Sequence, residues 1–276
     1  MVYSWLLLGI VLMTPLDTSA VHVIAHRGNS SEAPENTLAA FYQAIDLGVD
    51  FIELDVHLSN EGIPIVIHDP VLGRTTNYHS LHSIRDLNLV EIKCLDAGSW
   101  FNMIYTKERV PTLAEVLDLP FGSTGIMIEI KNESAESYEL ANAVADVLEK
   151  KQPSNPIFVG SLSPEILQHI RARIPEQPII AIMDHHDKFA QHDQNDPDVF
   201  GYHHMLLDQE LIRQLQERGK QVWAWTVDEE HYMEQLIQMK IDGLISNKPR
   251  VVASMLNEMF TPLLLNREGR EGTRRL

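Results

Sequence analysis

The chain has a single cysteine, Cys94. No intrachain disulfide can form, and without any Cys/His ligand spacing a structural zinc site is not expected. Basic residues are scarce too: 22 Lys and Arg stand against 39 Asp and Glu, a formal net charge of −17. Such a chain lacks the basic stripe that tracking along a nucleic-acid backbone requires, so no nucleic-acid partner is expected. Long apolar runs are missing as well. The N-terminal block Trp5 to Met13, WLLLGIVLM, is well short of the roughly 20 residues that span a bilayer. There is no internal repeat and no second composition regime. What remains is 276 residues, 44% of them apolar, enough to bury the core of one large domain or of two ordinary ones.

Residues 1 to 16 carry no charged side chain, and Thr18, Ser19 and Ala20 follow as a small-residue stretch. This pattern predicts a signal peptide over residues 1–20, cleaved to leave Val21, and an exported protein, periplasmic or secreted. The n-region MVYS has no Lys or Arg, which keeps an uncleaved membrane anchor and a cytoplasmic location as alternatives. The tail, residues 263–276, ends in NREGREGTRRL, has no apolar periodicity and is expected to be disordered. Nothing in the sequence signals an oligomeric state.

Between these ends, eight apolar runs read as buried parallel strands: Val23 to Ala25, Phe51 to Val56, Ile126 to Ile130, Ile157 to Gly160, Ile179 to Met183, Met205 to Leu207, Val222 to Val227, and Leu244 to Ser246. Amphipathic segments with cap signals separate them. Asn36 opens one that closes at Gly48, Ser163 precedes Pro164, Asp208 opens one that closes at Gly219, and Asp228 opens EEHYMEQLIQ. Thr112 and Glu115 have capping-box spacing after Pro111. Eight β/α units predict an α/β fold, a (β/α)8 TIM barrel over residues 21–262. One stretch departs from this rhythm, because Asp55 and His68 are too close in sequence to enclose a crossover helix. The SNEG turn, Ser59 to Gly62, therefore predicts a hairpin that returns Ile65 to His68 alongside Glu53 and Asp55. Residues 70–110, irregular and of mixed polarity, are expected to be a small insertion near the barrel mouth.

Glu53 and Asp55 are two apart on a strand and so face the same way. Two inward carboxylates in an apolar strand repel each other unless a cation stands between them. A hard divalent ion, Mg²⁺ or Ca²⁺, is the natural solution. Glu129 repeats the pattern at the C-terminal end of the next barrel strand, where barrel enzymes carry their sites. The competing reading makes these acids rim partners of Arg27 and Lys131. His26 ends the first strand and His68 the hairpin strand, so both are expected to reach the same mouth, and two imidazoles flanking a phosphoryl group can share general acid and base roles. Arg27 offers a planar fork for phosphate oxygens and Lys131 a point charge, while Gly28 is expected to let the backbone approach a ligand. The other histidines are expected to be structural; of these His57 is the exception in phase, sharing the face of Glu53 and Asp55.

The motifs HRG at His26, PENT at Pro34, ELDV at Glu53, IVIHDPVLGRTT at Ile65, PTLAEVL at Pro111, IEIK at Ile128, WAWTVD at Trp223 and DGLISNKP at Asp242 resemble, in order and spacing, the glycerophosphodiester phosphodiesterase family. That resemblance implies a TIM barrel, dependence on a divalent metal, and hydrolysis of a small-molecule glycerophosphodiester to glycerol 3-phosphate and an alcohol. Carried onto this chain, it makes His26 and His68 the acid/base pair, Glu53, Asp55 and Glu129 the metal ligands, and Arg27 and Lys131 phosphate contacts. Trp225 resembles the aromatic residue lining the family's substrate pocket, and Glu35 is placed beside the site, as a substrate-side residue or an orienter of Arg27.

The chain departs from the pattern at Asn247, where an acid is frequent, and at Asp228, where Asn is common; both are expected to be helix caps or barrel closure. A rival is a lysophospholipase D or sphingomyelinase D type activity on lipids, with peripheral membrane contact. It would need a continuous apolar lip, for which Leu81, Ile84, Leu87, Leu89 and Val90 in the insertion are the candidates. A second rival is a catalytically silent phosphodiester-binding barrel.

Overall fold

The computed structural model describes residues 21–131 and 137–268. The expected signal peptide and residues 269–276 lie outside the described residues.

Eight parallel strands close on themselves. β1 (His22–Ala25), β2 (Phe51–Leu58), β4 (Gly125–Ile130), β5 (Ile157–Ser161), β6 (Ile179–Met183), β7 (Val199–His203), β8 (Gln221–Trp225) and β9 (Gly243–Ser246) pair side by side, and β1 pairs with both β2 and β9. β3 (Pro64–Val66) is antiparallel to β2 and lies outside the ring. The helices are α1 (Leu38–Leu47), α2 (Leu89–Lys93), α3 (Leu113–Val116), α4 (Ser137–Lys151), α5 (Pro164–Arg173), α6 (Phe189–Asp193), α7 (Gln209–Glu217), α8 (Glu230–Gln238) and α9 (Pro249–Glu268). Most of them follow a strand and cover the barrel's outside. This is the (β/α)8 TIM barrel that the alternating runs predict.

Strand alternation builds two cores. Ile24, Phe51, Met127, Ile180, Ile182, Val199, Trp223 and Ile245 fill the lumen, and their neighbours on each strand pack outward against the helices. A third cluster, with Leu72, Ile84, Leu87, Ile92 and Val110, is the insertion's own core, seated on Ile65 and Ile67. The hairpin forms as the SNEG turn predicts, with Val56 opposite Val66 and the Ile67 N–H donating to Asp55 O at 3.0 Å.

Four expectations differ in detail. Met205 to Leu207 is no strand: a 3-10 turn spans His204–Leu206, and the strand is Val199–His203. Its central residue is Gly201, whose carbonyl accepts from the Trp225 indole at 2.8 Å, and a glycine-centred strand carries a weak apolar signal. Helix α1 is capped by Thr37 rather than Asn36, and α8 by Glu229 rather than Asp228. In both cases the displaced residue is engaged in the site instead. Helix α9 extends to Glu268, into the tail expected to be disordered. The Thr112/Glu115 capping box and the caps at Ser163, Asp208 and Gly48 are as predicted.

Candidate active site

A cavity of about 160 Å³ opens at the C-terminal end of the barrel, lined in part by His26, Arg27, Glu53, His68, Glu129, Lys131 and Trp225. Phe51, Glu53 and Asp55 share the lumen face of β2, while Asp55 stands opposite Glu129 on β4. The barrel thus converts two linear spacings into one cluster. Glu53, Asp55 and Glu129 have carboxylate oxygens within 4.8 Å of one another. Asp55 itself is fully buried, beneath the cavity floor.

The chain after β1 wraps this cluster. Arg27 adopts a left-handed backbone, φ 56°, a strained state for a non-glycine residue. That turn aims its N–H at Glu53 Oε2 (2.9 Å) and brings its Nε 3.2 Å from Asp55 Oδ2. Gly28 follows at φ 82°, and a Cβ there would stand 2.7 Å from Ala40. It is glycine to let α1 pack, not to admit a ligand as the sequence suggested. Asn36, also left-handed at φ 55°, donates its amide to Asp55 Oδ2 at 2.8 Å. Lys131 Nζ lies 2.8 Å from both Asp55 Oδ1 and Glu129 Oε1.

Electrostatics follow from these contacts. Burial, with Asp55 and Glu129 close by, pushes the Glu53 carboxyl well above its usual range, and burial also raises Glu129. Asp55 is held below its usual value: burial opposes ionisation, but Lys131 and Arg27 outweigh it. Burial and the adjacent Arg27 lower His26 to about 4. Among the described residues Glu53 Oε1 is buried without a hydrogen-bond partner, and Asp55 Oδ1 meets only the Lys131 ammonium. A carboxylate triad with an orphaned oxygen is the donor set a hard divalent cation takes, so the residues fit such an ion.

His26 Nε2 is 3.9 Å from Glu53 Oε2. Its Nδ1 meets Asn247 Oδ1 at 2.7 Å. The Asn247 amide is itself oriented, because Nδ2 donates to Asp228 Oδ2 at 2.6 Å. Oδ1 therefore accepts, His26 carries its proton on Nδ1, and Nε2 is left as an acceptor toward the cavity. Asn247 and Asp228 are thus more than caps. Their departure from the usual motif marked them, but only the barrel closure between β1 and β9 brings Asn247 to His26. His68 is held through Nδ1 by Asp69 Oδ1 at 2.6 Å, and its carbonyl accepts from His57 Nε2 at 2.8 Å. His57 is accordingly a brace for the His68 backbone.

Glu35 does not reach the cavity. Its carboxylate takes Arg27 Nη1 at 2.8 Å and Arg74 Nη1 and Nη2 at 2.7 Å each, so it orients Arg27. The lip residues divide: Ile84 and Leu87 are buried in the insertion core, whereas Leu81 is 91% and Val90 75% exposed. They form no continuous lip of their own.

The family model of the "Glycerophosphoryl diester phosphodiesterase family" matches residues 26–251. A glycerophosphodiester phosphodiesterase of Caldanaerobacter subterraneus is 32% identical over 240 residues, covering 86% of this chain and 98% of that one. A Bacillus subtilis glycerophosphodiester phosphodiesterase is 29% identical over 85% of this chain and 86% of its own length. Among solved structures, an Oleispira antarctica phosphodiesterase in complex with its product sn-glycerol-3-phosphate superposes with a TM-score of 0.81 at 31% identity, covering 86% of this chain and 96% of that one.

Proposed function

The chain belongs to the glycerophosphoryl diester phosphodiesterase family, and from that membership we propose that it hydrolyses glycerophosphodiesters to sn-glycerol 3-phosphate and an alcohol. The observation that carries this reading is the convergence of His26, His68, Arg27, Lys131, Glu53 and Glu129 on one cavity at the C-terminal mouth. Glu53, Asp55 and Glu129 would hold a divalent cation, Mg²⁺ or Ca²⁺, which when bound draws negative charge from the phosphodiester.

The chain's own residues do the rest. Arg27 presents its guanidinium, fixed by Glu35 and Asp55, to the phosphate oxygens, and Lys131 adds a second positive charge. His26, kept unprotonated by burial, accepts the proton of the attacking oxygen at Nε2. The return of a proton to the leaving alkoxide falls to His68, oriented by Asp69. Trp225, steadied by its bond to the Gly201 carbonyl, walls the side where the organic groups lie.

Turnover of glycerophosphocholine, glycerophosphoethanolamine, glycerophosphoglycerol and a lysophospholipid, measured with Mg²⁺, Ca²⁺ and chelator, tests the proposal. Metal-dependent release of glycerol 3-phosphate supports it. No turnover of any glycerophosphodiester overturns it, and preference for the lysophospholipid transfers the site to lipid substrates. Among the described residues no helix is long and apolar enough to cross a membrane. The composition of residues 1–20 supports export, which a mature N-terminus at Val21 on the secreted protein would establish.

A further inference from the structure

We propose that Arg74 is a positioning residue of the active site, the tie that joins the arm carrying Arg27 to the arm carrying His68. The kinetic part of this inference rests on the phosphodiesterase reading; the structural part does not.

Charges alternate without a break from the buried Asp55 outward to His68. Asp55 Oδ2 faces Arg27 Nε at 3.2 Å, and Arg27 Nη1 donates to Glu35 Oε1 at 2.8 Å. Arg74 reaches both Glu35 oxygens at 2.7 Å, and on its other edge Nε and Nη2 donate to the two oxygens of Asp69. Asp69 then receives His68 Nδ1 at 2.6 Å. A buried carboxylate, Asp55, is thereby linked to His68 through four side chains of alternating charge, Arg27, Glu35, Arg74 and Asp69.

Arg74 is not a phosphate contact in this arrangement. It makes four N–H bonds to two carboxylates, out of the five N–H groups a guanidinium owns, and it does not line the cavity. To grip a substrate it would have to release Glu35 or Asp69, and with them Arg27 or His68. Only a planar fork can address two carboxylates on two edges at once; an ammonium cannot. The residue is also well anchored. It ends the 3-10 turn Leu72–Arg74, whose Leu72 is fully buried in the insertion core, and Thr76 Oγ1 ties back to the Leu72 carbonyl at 2.8 Å. The insertion's packing is thus transmitted to both catalytic arms through one guanidinium. Because Arg74 is half exposed, its ion pairs add little stability; what it supplies is geometry, and displacements near 1 Å cost rates up to about 10²-fold.

The test compares wild type with Arg74→Ala and Arg74→Lys, measuring kcat and KM for glycerophosphocholine with saturating Mg²⁺, together with the side-chain ¹⁵N and ¹H NMR signals of His68. Each variant is expected to lose roughly 10- to 100-fold in kcat with KM changed only a few-fold. Guanidinium ion should restore part of the Arg74→Ala activity, and Lys should restore none. Adding Asp69→Asn to Arg74→Ala should cost less than the product of the two single losses. The hydrogen-bonded Nδ1–H resonance of His68 should move upfield or disappear in both variants. Wild-type kcat in Arg74→Lys, strictly multiplicative losses, or an unmoved His68 resonance would each overturn the proposal. If Arg74→Ala does not fold, Arg74→Lys, which keeps the charge, carries the test. If wild type turns over no glycerophosphodiester, the functional reading fails while the His68 resonance still decides the tie.

Discussion

At the floor of the cavity three carboxylates, Glu53, Asp55 and Glu129, face two cations, Arg27 and Lys131, so full ionisation leaves one negative charge in excess. Glu53 bears that imbalance, since its carboxyl is the one driven well up. A group with a raised folded-state pKa contributes stability below its unfolded value and loses it as pH rises. The metal-free protein should therefore be destabilised by Glu53 above pH 4.5. Glu53→Gln keeps the acceptor for the Arg27 N–H and removes the charge; in chelator it should raise Tm by a few degrees at neutral pH, on the order of 1 kcal/mol, and give no gain near pH 4, while abolishing activity. His26 has the opposite sign. Its folded value of about 4 lies below the ordinary 6.5, so its contribution is intact above pH 6.5 and is lost as pH falls toward 4. Thermal melts from pH 7 to 4 should show His26→Gln losing less stability than wild type over that interval. For catalysis, His26→Ala and His68→Ala should each lower kcat by roughly 10² to 10⁴ with metal binding retained by calorimetry. Near-normal turnover by either would remove it from the acid/base pair.

Among the elements, the turn after β1 decides the most. Its two consecutive left-handed residues, Arg27 and Gly28, place a backbone donor on Glu53 and seat α1 against the loop. Gly28→Ala would bring a Cβ within 2.7 Å of the Ala40 backbone and impose a disfavoured φ, at a cost of about 2 to 4 kcal/mol. Denaturant midpoints would register this, and activity at a temperature where the variant stays folded should fall as Arg27 shifts. The HRG motif was legible as a site because His, Arg and Gly at a strand end are chemically suggestive; the reason for its glycine was not, since the partner Ala40 lies on the next helix. Caps behaved alike. Thr112 with Glu115 could be read locally, whereas Asn36 and Asp228 looked like N-caps and are instead held by Asp55 and Asn247, residues far away in the chain.

For the whole molecule, the barrel's closure orders a chain with one cysteine, and a cation held by the carboxylate cluster would add to it. A divalent ion that binds only the folded state should stabilise it by about 2.7 kcal/mol at 100-fold excess over Kd, roughly 5 to 11 °C in Tm for a domain of this size. A calorimetric scan with Mg²⁺ or Ca²⁺ against chelator checks this, and the increment should vanish in Asp55→Ala. Apolar periodicity, strand-end acids and the spacing of Asp55 and His68 by themselves determined the barrel class, the hairpin and the set of polar side chains that meet at the cavity, because those signals are local: period two along a strand, turn residues, chemical type. Which side chains hold them was decided only by tertiary structure. Ring closure pairs β1 with β9 and delivers Asn247 to His26, and the insertion's packing delivers Arg74 to Glu35 and Asp69. Contacts made across more than two hundred residues, or through a loop without periodicity, leave no trace in a one-dimensional pattern.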